Sequence, residues 1–323
     1  MPLNYLIEFD LFILSNPSLK SIIIKGLTLS QKDFTLISVA HSPDADDIFM
    51  YYAIKFGWID CPIKNKTFHN IALDIETLNQ EALKNTYDVS AISFALFPKI
   101  ANDYALLPTA TSFGNGYGPK LVKKKGVKLK KDFRVALSGE HTTNALLFKI
   151  YYKHARITYM NFLDIEKAVL EEKVHAGVLI HENILDFHNE LEVEKELWDV
   201  WQELIKVDDL PLPLGGMAIR RSIPLYRAIL IKKALIKAVE VALKHQNLLS
   251  GMLLERTLIR VNMERLQTYL SLYANETSTH LSEIQILAID KLFELGYQHG
   301  FYASLLKAKD CLLTDEYLQY RFS

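Results

Sequence analysis

Apolar and polar positions along the chain fall into two alternating rhythms. Short runs rich in β-branched residues, beginning with Phe34-Thr35-Leu36-Ile37-Ser38-Val39-Ala40, read as strands, and each gives way to a stretch with helical spacing. The first strand leads through His41-Ser42-Pro43-Asp44 into a helix from Asp46 to Phe56. His69 to Ile75 predicts a second strand and Glu76 to Leu83 a short helix. Asp88 to Ser93 predicts a third strand, with Phe94 to Ala101 helical after it. Such alternation implies a parallel α/β layer.

The rhythm breaks at Phe113-Gly114-Asn115-Gly116-Tyr117-Gly118-Pro119 and resumes after a connecting strand over Lys120 to Gly126. Strands are then expected at Phe133 to Leu137, Ile157 to Tyr159 and Ala176 to Ile180, with helices from Asn144 to His154 and Ile165 to Glu172. Leu210-Pro211-Leu212-Pro213-Leu214-Gly215-Gly216 reads as a second break, and Met217 to Arg220 as a returning strand. Everything from Pro224 onward has helical spacing, and Ser282-Glu283-Ile284-Gln285 is a capping box for a helix that stops near Gly296.

One α/β unit interrupted by another and finished by helices implies an α/β fold of two lobes joined by two crossings, with a central cleft. The expected division is residues 36–119 and 221–323 for the first lobe and 120–220 for the second, with residues 1–35 as an N-terminal extension. Open α/β units bind ligands beyond the carboxyl ends of their strands. That rule singles out Ser42 to Asp47, Ser93, Ser138 to Thr143 and His181.

Composition narrows the functional classes. Of 323 residues, 50% are hydrophobic, enough for a substantial core, and 37 basic residues against 38 acidic ones leave a net charge of −1. A balanced chain has no global field for gripping nucleic acid or an anionic membrane. Two cysteines, Cys61 and Cys311, exclude a disulfide framework and fit a reducing compartment. The apolar run Leu11 to Leu14 has Glu8 and Asp10 where a secretory signal would be basic, and no run approaches a membrane span. A cytoplasmic location is therefore expected.

Three clusters could carry chemistry. His41-Ser42-Pro43-Asp44-Ala45-Asp46-Asp47 is open to two readings: a divalent-metal site, or a helix start at which Ser42 or Asp44 caps and the other acids meet the macrodipole. Ser138-Gly139-Glu140-His141-Thr142-Thr143 joins a strand to a helix and offers hydroxyls and backbone N–H groups, either as a plain cap or as a cradle for a carboxylate. His181 leaves a strand end with Glu182 behind it, and Leu185 breaks the zinc-peptidase pattern. Its imidazole reads as a general base or as a packed strand-end residue. The glycines at 114, 116 and 118 precede a strand, the wrong context for a dinucleotide fingerprint, and read as a hinge or cleft rim.

Together, Ser42-Pro43 with Asp47, Phe49 and Tyr52-Ala53, Asp74-Ile75-Glu76-Thr77-Leu78-Asn79, Gly139 with His141-Thr142-Thr143, Ile180-His181-Glu182 and Leu210-Pro211-Leu212-Pro213-Leu214-Gly215 resemble the menaquinone-biosynthesis enzymes of the futalosine pathway, specifically the 1,4-dihydroxy-6-naphthoate synthases. The resemblance runs from about residue 36 to the C-terminus. It implies a two-lobed fold similar to type II periplasmic binding proteins, used as a cytoplasmic carbon–carbon lyase without metal or organic cofactor. The implied reaction turns cyclic dehypoxanthinylfutalosine into 1,4-dihydroxy-6-naphthoate and dihydroxyacetone. The implied partner is this small carboxylated substrate, not nucleic acid or membrane, and a homo-oligomer is left open. His181 would be the proton acceptor, with substrate contacts from Ala91, Ile92, Ser93, Thr142, Thr143, Asn144 and Ser42. Ala91 stands where the family pattern has lysine, so a cationic contact is lost while backbone contacts remain; Asn144 replaces a smaller residue and adds polarity. Two rival readings are chorismate dehydratase of the same pathway and a solute-binding protein for a small carboxylate.

Overall fold

A computed structural model describes residues 35–207, 209–256, 261–274 and 278–313, so all of the expected N-terminal extension but Thr35 lies outside the described residues. Two sheets organise the rest. The first has the strand order β2-β1-β3-β11-β4, with β5 also paired to β11. Here β1 is Thr35–His41, β2 Lys66–Ala72, β3 Val89–Ser93, β4 Tyr104–Leu106, β5 Ser112–Gly114 and β11 Leu212–Arg220. The second has the order β10-β6-β9-β7-β8. Its strands are β6 Lys120–Lys124, β7 Arg134–Leu137, β8 Arg156–Tyr159, β9 Ala176–Leu179 and β10 Leu191–Glu196.

Neither sheet is the parallel layer expected from the strand–helix rhythm. β1 runs parallel to β2 and β3, yet β11 lies antiparallel to β3, β4 and β5. In the second sheet β7 is parallel to β8 and β9, while β6 is antiparallel to β9 and β10. A returning strand has no sequence mark of its direction, which is why this was not legible.

The second expected break is also strand. β11 begins at Leu212, and its Pro213 faces Phe113 of β5, while pairing with β3 starts only at Gly215 opposite Ser93. The N–H that proline lacks therefore falls beyond the end of β3, where no ladder bond is needed. Because β11 belongs to the first sheet, the second sheet takes its strands from residues 120–196, and the stretch 212–220 sits with the first. Phe94 to Ala101, expected as one helix, is a 3-10 turn at Phe94–Leu96 followed by a single helical turn at Phe97–Ile100, which carries Pro98.

Helices cover both sheets. α1 (Ala45–Lys55) follows β1 and α2 (Ile75–Leu83) follows β2; α3 is the turn Phe97–Ile100. α4 (Thr143–Tyr151) follows β7, α5 (Phe162–Leu170) follows β8, and α6 (Leu197–Ile205) follows β10. The C-terminal part is helical as expected: α7 (Leu225–Lys244), α8 (Gln246–Glu255), α9 (Met263–Tyr273), α10 (Glu283–Gln298) and α11 (Ala308–Cys311). α7 packs along α1, burying Ala228, Ile231, Leu235 and Val239 in one core with Val39, Tyr51 and Tyr52. α10 opens with the expected capping box, Ser282 and Gln285 exchanging bonds. Its Ile289, Leu292 and Phe293 join the other core, which holds β7, β9 and Trp201. The sheets are thus tied by apolar packing at their margins, leaving the strand ends between them for polar residues.

Candidate active site

The carboxyl ends of β1, β3, β7 and β9 open onto one cleft of about 740 Å³. The eight residues expected to meet the substrate lie on its wall, Ser42, Ala91, Ile92, Ser93, Thr142, Thr143, Asn144 and His181, whereas Asp46, Gly139, Glu140 and His141, reached by the strand-end rule, do not.

His41, the last residue of β1, is buried behind the cleft. Its Nδ1–H donates to the Ser42 carbonyl at 2.8 Å and its ring stacks on Tyr51. Burial pushes its pKa down to about 4, so the ring is neutral at cellular pH. The chain then turns into α1 with Asp44 as the N-cap, in extended backbone (φ −72, ψ 156), but the carboxylate makes no cap bond. It takes a different partner: Asp44 Oδ2 lies 2.7 Å from Nδ1 of His181, and both side chains are largely buried. The turn is tied instead by Asp47, whose Oδ2 accepts from the Ser42 N–H at 2.9 Å. Among the described residues no three His, Cys, Asp or Glu side chains converge as a metal cage would need.

His181 follows β9 in the left-handed backbone region, φ 58, an uncommon conformation for a residue with a side chain. The edge of its ring meets Phe162 at the start of α5, with centroids 4.8 Å apart. With Nδ1–H donating to Asp44, the imidazole in its neutral form would carry its lone pair on Nε2.

At the other strand-to-helix turn, the cap and cradle readings resolve in favour of structure for both threonine hydroxyls. Thr142 is the N-cap of α4: its Oγ1 accepts from the Ala145 N–H at 3.1 Å and donates to the Gly139 carbonyl. The Thr143 hydroxyl donates to the Leu214 carbonyl of β11 at 2.9 Å and accepts from the Ala95 N–H, joining α4 to the first sheet. Another joint lies nearby, where Glu76 of α2 accepts from the His141 N–H at 3.1 Å.

The polar atoms left for a ligand are others. Ser42 Oγ, Ser138 Oγ and Asn144 Oδ1 are buried, line the cleft and have no hydrogen-bond partner among the described residues. Buried polar atoms are nearly always partnered by protein or ordered water, so these three are open to a water or a polar guest in the cleft. Ser138 was not chosen individually from sequence, although the strand-end rule reached its segment. Ser93 is held by Asn79 of α2, which donates to its Oγ at 3.0 Å and accepts from its N–H at 2.9 Å. Asn79 was missed because nothing in the sequence marks a buried amide. Apolar walls come from Ile75, Ile184, Leu214, Tyr269 and Tyr273. At Gly216 a Cβ would come within 2.8 Å of the Phe94 ring, so glycine keeps that wall open.

Two mixed sheets presenting strand ends to a shared cleft define the two-lobed class typified by periplasmic binding proteins. Among solved structures, an alkanesulfonate-binding protein from Xanthomonas axonopodis pv. citri, bound to MOPS, superposes with a TM-score of 0.64 at 10% identity, covering 86% of this chain and 97% of that one. A crystal structure from Archaeoglobus fulgidus superposes more closely, with a TM-score of 0.74 at 33% identity over 82% of this chain and 98% of that one. The model of the menaquinone-biosynthesis family matches residues 37–298, and the chain belongs to that family. It is similar to the 1,4-dihydroxy-6-naphthoate synthase of Thermus thermophilus, 28% identical over 211 residues that make up 65% of this chain and 75% of the relative. The synthase of the same name from Streptomyces coelicolor is 30% identical over 195 residues, 58% of this chain and 67% of that one. Among the described residues no helix is long and apolar enough to cross a membrane.

Proposed function

We propose that this chain is a carbon–carbon lyase of menaquinone biosynthesis that converts cyclic dehypoxanthinylfutalosine into 1,4-dihydroxy-6-naphthoate and dihydroxyacetone in the cytoplasm, with His181 as general base. The observation that carries the reading is the imidazole of His181, held by a carboxylate on the wall of a cleft with unpartnered polar atoms, in a chain of the menaquinone-biosynthesis family. A base needs a neutral ring with its lone pair available, and the Asp44 contact selects that tautomer. Ser42, Ser138 and Asn144 then receive the polar groups of the substrate, while Ile75, Leu214 and the tyrosines of α9 cover its rings. Closure of the two walls excludes water from the reacting centre, where the base takes a hydroxyl or carbon-bound proton. Expulsion of the three-carbon fragment leaves an aromatic naphthalene, whose stability drives the reaction forward.

The test is incubation of the purified chain with cyclic dehypoxanthinylfutalosine and, separately, with chorismate, following product by absorbance and mass. Formation of the dihydroxynaphthoate from the first alone supports the reading. Dehydration of chorismate would replace it with the sister activity, and tight binding without turnover of either would replace it with a solute-binding role.

A further inference from the structure

We infer that Asp44 is a positioning residue for His181, and that the base is assembled only when the two walls of the cleft meet. The inference rests on the proposed role of His181 and deepens it. Asp44 stands on the turn after β1, in the first sheet, whereas His181 follows β9 in the second. Their 2.7 Å contact is therefore made across the cleft rather than within either half.

Three observations and one chemical argument support a directed role. As N-cap of α1, Asp44 has the backbone of a capping residue, yet its carboxylate leaves the helix N–H groups for the imidazole. Asp47 takes over the tying of the turn, so Asp44 is not needed to hold it. The other Nδ1 partners open to a strand-end histidine, a backbone carbonyl or water, would not carry the charge that stabilises an imidazolium formed on proton abstraction. Finally, the left-handed backbone of His181 and the edge-on contact with Phe162 restrict the ring, leaving Asp44 to select the tautomer and the final orientation. A carboxylate fixed in one half can do this only while the halves are together, which couples proton abstraction to closure.

Among the described residues, the titratable groups around the pair are these. Asp47, Tyr269 and Tyr273 share the cleft wall, and His41 sits behind Asp44 in neutral form. Asp186, beyond the 3-10 turn that His181 opens, is paired with Arg265.

The experiment compares wild type with Asp44→Asn, Asp44→Glu, His181→Ala and the double variant Asp44→Asn/His181→Ala, by steady-state kinetics across pH. Asp44→Asn is expected to lower kcat by about 10²-fold, within the span of general-base effects, with KM little changed. Loss of the carboxylate lowers the pKa of the imidazolium, so the acid limb of kcat/KM should move to lower pH. Asp44→Glu should recover part of kcat, and the double variant should be no slower than His181→Ala. If Asp44→Asn does not fold, Asp44→Ser takes its place, with a wild-type kcat and an unmoved limb overturning the inference. A rise in KM with an unmoved pH limb would make Asp44 a simple latch and overturn it, as would additive losses in the double variant. Wild-type turnover by His181→Ala would sink the base and the inference together. An inactive His181→Ala beside a fully active Asp44→Asn would sink the inference alone.

Discussion

Two strand-to-helix turns face each other across the cleft, and they solve the same local problem differently. After β7, Thr142 caps α4 with its own hydroxyl, as a helix N-terminus asks. After β1, Asp44 occupies the equivalent place on α1 but leaves it uncapped and reaches His181 instead. The strand ends differ too: Leu137 is apolar, whereas His41 is a buried imidazole stripped of its usual basicity. A turn that follows the local rule is mainly structural, and one that departs from it without another gain in stability marks where chemistry is done. The comparison places the carboxylate that meets His181 on the β1 turn and a plain helix cap on the β7 turn, with Ser138 and Asn144 lining the β7 side of the cleft.

Variants separate the two sides. The largest effect is expected at His181, where His181→Ala should lower kcat by about 10²- to 10⁴-fold while naphthoate binding, read by calorimetry, persists. Next comes acid on the β1 side. The His41 pKa lies near 4 in the fold against 6.5 in the unfolded chain, so the unfolded state binds more protons between these values. Its contribution is full above pH 6.5 and lost as pH falls toward 4, about 3 kcal/mol in all at roughly 1.4 kcal/mol per pH unit. Urea titrations at pH 7 and pH 4 should show that loss, and His41→Gln should flatten it. On the β7 side, Thr143→Val leaves the Leu214 carbonyl and the Ala95 N–H without the hydroxyl that joins them, at about 1–3 kcal/mol. Because that bond joins the two sheets, affinity for a naphthoate should weaken by about 10-fold, and an unchanged calorimetric Kd would contradict it. Smallest, Thr142→Ala should cost about 1 kcal/mol in urea denaturation with kcat nearly intact. A large loss of kcat there would erase the contrast between the turns.

Much of this was legible in the residues because strand ends and helix starts have local signatures. Ser42, Ser93, Thr142, Thr143 and His181 were marked by position after an apolar run and Asn144 by the family resemblance, and the cleft gathers them. The Asp44–His181 contact was not legible, since 137 positions separate the pair and either residue alone has an ordinary explanation, a cap or a packed imidazole. β11 was hidden by Pro211, Pro213 and two glycines, which read as a loop until the missing N–H is seen to face the end of β3. β10 was passed over because Glu192, Glu194, Lys195 and Glu196 dilute the strand signal on an edge strand paired to β6. The roles of the Thr142 and Thr143 hydroxyls depend on Ala145, Leu214 and Ala95, of which the last two are distant in sequence.

The most direct measurement is a crystal structure with 1,4-dihydroxy-6-naphthoate bound. Its carboxylate or hydroxyls should take partners from Ser42, Ser138 and Asn144, with His181 at hydrogen-bond reach of the ring oxygen nearest the departed fragment, about 2.6–3.2 Å, and Asp44 still on Nδ1. A naphthoate seated elsewhere, or one in the cleft with the imidazole turned away from it, would contradict the account.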